Sequence, residues 1–106
     1  MRLLWRAIET PREDFTVFVH LLDVGNRLIS QQDSQPQNGT YPTSFWDPGE
    51  IVPDWHELLI PSDATPGDYT IALGLYHLSD GTRLPVAGLG DKVLLPIRIQ
   101  VKSPEN

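Results

Sequence analysis

A chain of 106 residues is long enough for one domain with its own core, since about 60 to 70% of the unfolded surface is buried at this size. The 14 acidic residues against 8 scattered basic ones give a formal charge of -6, which opposes binding to nucleic acid or to anionic lipid, both of which select clustered Lys and Arg. With no cysteine there is no disulfide, thiolate metal site or thiol chemistry, and no apolar run approaches the roughly 18 to 20 residues that span a bilayer, so no membrane insertion by this segment is expected.

The start, "MRLLWRAIETPRED", carries a brief apolar patch before charges return, too short for the apolar region of a signal peptide. "DFTVFVHLLD" then alternates: Phe15, Val17, Val19 and Leu21 share one face, and Thr16, Phe18, His20 and Leu22 the other. This pattern predicts a strand buried on one side and partly covered on the other. "VGN" turns the chain into "RLISQQ", so residues 15 to 32 read as a hairpin, with Asp23, Gly25 and Asn26 as turn residues rather than calcium ligands. Residues 33 to 49 form the one long irregular connection. In "EIVPDWHELLIP", Trp55, Glu57 and Leu59 oppose His56, Leu58 and Ile60, and neither face is purely polar.

The clearest alternation is "DYTIALGLYHL", with Tyr69, Ile71, Leu73 and Leu75 on one face. The opposite face carries Thr70, Ala72, Gly74 and Tyr76, where small residues let another element approach closely. Asp80-Gly81 predicts a type I′ turn with a return strand from Thr82. "KVLLPIRIQV" places Val93, Leu95, Ile97, Ile99 and Val101 inward and Lys92, Arg98 and Gln100 outward. Pro96 on the outward parity donates no hydrogen bond and marks an edge strand or a bulge. With no sustained helical stripe anywhere, the expected class is all-β, built as two antiparallel sheets packed face to face in one domain over residues 1–106.

Chemistry-bearing residues are sparse. His20, His56 and His77 fall in three separate strands, which argues against a shared metal, and "WHE" is no zinc-protease signature because adjacent strand residues point to opposite faces. There is no G-x-S-x-G elbow. Asp47, Glu50 and Asp54 would serve as a glycosidase-like carboxylate pair or a calcium site only if gathered; Asp before Pro-Gly favours a turn, and Glu50 and Asp54 are expected to remain solvated. No catalytic residue, metal site or cofactor is assigned.

"YPTSFWDPGE", residues 41 to 50, packs three rings, two prolines and two carboxylates into ten positions. Two readings stand. Tyr41, Phe45 and Trp46, with Asp47 and Glu50 beside them, would make a glycan-binding platform on which sugar rings stack. Alternatively Phe45 and Trp46 plug one end of the domain while Pro42 and Pro48 stiffen the loop.

With "LLWRA", "FVHLLD", "YPT" with "W-DPGE", "PGDYTIALGLY" and "GTRLPV" as its more specific elements, the chain from Leu3 to Val101 resembles a β-sandwich module found at the non-membrane, C-terminal end of bacterial multi-pass glycosyltransferases of the protein mannosyltransferase-like type and of related uncharacterised membrane proteins. The resemblance implies an immunoglobulin- or fibronectin-like sandwich displayed on the extracytoplasmic side of a bacterial membrane. It implies an accessory rather than catalytic role, with a glycan or cell-envelope component as partner. It also casts Gly67 and Gly81 as turn residues, Trp5 and Trp46 as packing residues, and Arg6 or Arg83 as partners of Asp33 or Asp54. Such modules carry one or two strands ahead of the "LLWRA" strand, whereas Met1 stands almost directly before it here. An unpaired strand edge at that point is expected to support a homodimer.

Overall fold

The computed structural model describes residues 1–86 and 90–99. It contains β1 (Arg2–Arg6), β2 (Phe15–Leu22), β3 (Leu28–Ser34), two short 3-10 turns at Pro36–Gly39 and Thr43–Phe45, β4 (Ile51–Trp55), β5 (Gly67–His77) and β6 (Val93–Ile99). The fold is all-β, in two antiparallel sheets: a four-stranded sheet of order β3-β2-β5-β6 and a two-stranded β1-β4 sheet. Among the described residues, no helix is long and apolar enough to cross a membrane.

The alternation in β2 and β5 places the core. Val17, Val19 and Leu21 share a face with Tyr69, Ile71 and Leu73, and all six are buried. Leu3 and Trp5 of β1, together with Leu58, pack against this cluster. Burial of side chains of this kind contributes about 1.5–3 kcal/mol each. The β2–β3 hairpin forms as expected: the Asp23 carboxylate accepts the N–H groups of Gly25 (2.9 Å) and Arg27 (2.8 Å), and Asn26 adopts a φ of 63°.

The second face of the central pair explains the small residues of β5. Phe18 lies opposite Gly74 in the ladder and is buried, its ring covering the glycine. A Cβ at Gly74 would fall 2.6 Å from Phe18 Cε2, a clash, and 3.2 Å from the Asp91 carbonyl oxygen, a tight contact. The Arg83 guanidinium caps the same ring at 4.2 Å from its centroid.

Two local expectations change. Only Gly81 of the Asp80-Gly81 pair takes a positive φ, 76°, so the turn is not type I′; His77 donates to the Thr82 carbonyl and accepts from Gly81, each at 2.8 Å, across a four-residue loop. The return pairs only with the end of β5, where Leu84 donates to the Leu75 carbonyl at 2.8 Å beside a Tyr76–Arg83 bridge, and β6 pairs the rest of β5 from Gly67 to Leu73. Pro96 does sit on an edge strand, β6, whose expected inward residues Val93, Ile97 and Ile99 are half-buried while Leu95 is exposed. The Gln100 and Val101 assignments lie outside the described residues.

Replacing Gly74 by Ala should lower the urea-unfolding free energy by about 1–3 kcal/mol, the cost of overpacking a filled site. An unchanged midpoint would mean that the Phe18 ring yields without cost.

Candidate functional site

The loop from Tyr41 to Glu50 is held from inside and outside. Within it, the Tyr41 hydroxyl donates to both Glu50 carboxylate oxygens at 2.8 and 2.9 Å, the Trp46 indole N–H donates to the Tyr41 carbonyl at 3.0 Å, and the Asp47 N–H donates to Glu50 Oε1 at 2.9 Å. The hydrogen bond to Glu50 is the main reason that the Tyr41 phenol titrates above its ordinary value. From outside, the segment between β1 and β2 ties it down. Thr10 donates to the Trp46 carbonyl (2.7 Å), Thr43 donates to the Glu13 carbonyl (2.7 Å) and accepts from the Phe15 N–H (3.1 Å), and Ser44 donates to Asp14.

The five residues singled out in this loop therefore separate. Trp46 is 4% exposed and Phe45 is 65% exposed, so the two neighbouring rings face opposite environments. Tyr41 and Glu50 are half-buried and spent on one another, and Asp47 is exposed. Phe45 does not share the plugging position of Trp46.

A different cluster holds the strongest electrostatics. Along β4 and the residue that follows it, Val52, Asp54 and His56 are buried, while Ile51, Pro53 and Trp55 face outward. Asp54 is thus not solvated. Its side chain and that of His56 have no solvent exposure, and His56 Nε2 lies 2.6 Å from Asp54 Oδ2. The Trp5 indole N–H donates to the same oxygen at 3.1 Å, and the Gln37 backbone N–H donates to Oδ1 at 2.8 Å. The other His56 ring nitrogen bonds the Gln32 amide oxygen. Desolvation works to raise the Asp54 pKa, but the donors His56, Gln37 and Trp5 together outweigh it and hold the carboxyl below its usual value.

Backbone geometry serves this carboxylate. Gln37 and Asn38 take left-handed conformations, φ 53° and 56°, each at a cost of about 1–2 kcal/mol for a residue with a Cβ. This conformation directs the Gln37 N–H at Asp54, and the Gln37 side-chain amide adds a bond to the Pro53 carbonyl at 2.8 Å. Four parts of the chain thus meet at the Asp54–His56 pair: β1 and the Pro36–Gly39 turn at the Asp54 carboxylate, β3 at His56, and β4 itself. Neither Arg6 nor Arg83 partners Asp54 or Asp33. Arg83 lies 3.6 Å from Asp91, and Asp33 is met by His20 at 3.6 Å and by the Tyr76 hydroxyl at 3.2 Å.

The remaining histidines are separate. His77 Nδ1 lies 3.0 Å from Glu13, and burial foremost lowers the pKa of His20. Among the described residues, no three His, Asp or Glu side chains converge as a metal site. Comparison of the chain with family models, with curated proteins and with solved structures finds no match in any of the three.

Asp54→Asn removes the charge that His56 and two N–H donors are arranged around, and should cost about 3–5 kcal/mol in chemical unfolding. A carboxylate whose folded pKa lies below its unfolded one, near 3.8 for Asp, adds stability above that pH and loses it as pH falls through the folded pKa. The acid limb of the stability–pH curve should accordingly be shallower in Asp54→Asn than in the parent chain. Parallel curves would contradict this assignment.

Proposed function

We propose that the chain is a non-catalytic accessory domain, structural or interactive, of an extracytoplasmic glycosyltransferase-like protein, and that its two sheets form an immunoglobulin-like β-sandwich. The observation that carries this reading is the sequestration of Asp54 and His56. The pair that would otherwise be best suited to acid–base work is fully enclosed and bonded to neighbouring elements, so it serves the fold. The motif resemblance supports the cell-envelope setting, and the packing of Leu3 and Trp5 on the four-stranded sheet supports the sandwich.

A second reading, glycan binding by the 41–50 loop, is favoured by one feature: Phe45 presents an open aromatic face next to Asp47. In it the stacking falls to Phe45 and Tyr41, because Trp46 is enclosed.

A panel of soluble polysaccharides and chromogenic glycosides, assayed for both binding and turnover, separates these readings. The accessory reading predicts neither turnover nor saturable binding that depends on Phe45. Binding lost in Phe45→Ala would favour the glycan module, and hydrolysis lost in Asp47→Asn or Glu50→Gln would overturn the non-catalytic assignment.

A further inference from the structure

Two strands cannot cover four. The smaller sheet lies toward the β3 side of the larger one, for Gln32 of β3 bonds His56 at the end of β4, while β1 supplies Leu3 and Trp5 to the core. At the far side, β6 is left open. Leu95 is 40% exposed, whereas Ile71, its partner on β5, is 5% exposed. An apolar groove of about 340 Å³ opens here, lined by Met1, Leu21, Leu58, Ile60, Ile71 and Ile97.

The groove adjoins a strand edge. The Met1 amine donates to the His56 carbonyl at 2.7 Å and Met1 accepts the His56 N–H at 2.8 Å, while Gly49 donates to the Ala7 carbonyl at 2.6 Å. Because backbone groups alternate in direction along an antiparallel strand, residues 1, 3, 5 and 7 bond β4, and Arg2, Leu4 and Arg6 turn their N–H and C=O groups the other way. Among the described residues, no strand pairs with that side of β1. Two of the other edges are blunted: Gln37 bonds the Pro53 carbonyl on β4, and Pro96 interrupts β6.

Charge decides what fits. The side chains of Arg2, Leu4 and Arg6 stand exposed on the outer face of the small sheet, and Arg2 lies over the Trp55 ring at 5.6 Å. A second copy is a poor occupant. Antiparallel self-pairing centred on Leu4 would set Arg2 of each chain opposite Arg6 of the other, guanidinium against guanidinium.

We propose that the free edge of β1 docks an extended polypeptide strand in which aliphatic and acidic residues alternate. Its backbone bonds Arg2, Leu4 and Arg6; its aliphatic side chains enter the groove over Leu21, Ile71 and Ile97; its carboxylates lie beside Arg2 and Arg6. This deepens, and rests on, the reading of the chain as an interaction domain.

The test titrates the isotopically labelled full chain with a short capped peptide of alternating valine and glutamate, and in parallel with one of alternating valine and lysine. The amides of Arg2, Leu4 and Arg6 should shift and gain exchange protection with the glutamate peptide, and the lysine peptide should bind at least about tenfold more weakly. The double variant Arg2→Glu, Arg6→Glu should invert that order. Leu4→Pro removes the central edge N–H while its side chain remains outside the core, and should abolish binding with native spectra retained. Equal affinities for the two peptides, or the absence of shifts at all three amides, would overturn the proposal. Self-association of the free chain that Leu4→Pro abolishes would overturn it as well, by giving the edge to a second copy. Failure here leaves the non-catalytic reading intact, since only turnover bears on that.

Discussion

A carboxylate with no access to water must either take up a proton or be surrounded by donors, and Asp54 is surrounded. His56, the Trp5 indole and the Gln37 backbone converge on its two oxygens, and the carboxyl is held below its ordinary pKa despite burial. Each donor belongs to a different part of the chain. The ion therefore acts as a joint: it fixes the end of β4 against β1, holds the Pro36–Gly39 turn in a left-handed conformation that would otherwise be unfavourable, and through Gln32 reaches β3 of the other sheet. An aliphatic side chain in its place would fill the volume but would specify none of these partners.

From this joint the rest of the arrangement follows. With β4 secured on the β3 side, the two-stranded sheet covers the inner face of β3, β2 and part of β5, and β6 is left with half-covered aliphatic residues. The 41–50 loop is secured separately, by hydroxyls of Thr10, Thr43 and Ser44, so that Trp46 is enclosed and Phe45 is not. Thr10, Thr43 and Asp54 thus spend their side-chain oxygens on backbone or side chains of other elements, while Phe45 and Trp55 stay exposed.

Much of the sheet architecture was legible because it rests on periodicity. Of the eight side chains that the alternation of β2 and β5 sets on one face, six form the buried core while Phe15 and Leu75 are half-buried, and the small residues of β5 do admit a neighbour, the Phe18 ring. The joint was not legible. Asp54 stands between Pro53 and Trp55 in a stretch whose exposed positions are the apolar ones, so hydropathy points the wrong way, and two of its three donors, Trp5 and Gln37, are distant in sequence. The one available signal was parity, which puts Asp54 and His56 on the same face as Val52. The turn at Asp80-Gly81 was misread because a dipeptide preference does not fix the loop length: His77 and Thr82 close a four-residue loop in which Gly81 alone takes a positive φ.

The account depends on Asp54 and His56 acting as one unit in the folded interior. A double-mutant cycle in unfolding free energy, using Asp54→Asn, His56→Gln and the double variant, measures that coupling directly. A joint predicts a coupling of about 2 kcal/mol or more, with the double variant far less damaged than the sum of the single ones. A coupling within about 0.5 kcal/mol of zero would mean that the two side chains are held independently, and the role given to the pair would fail.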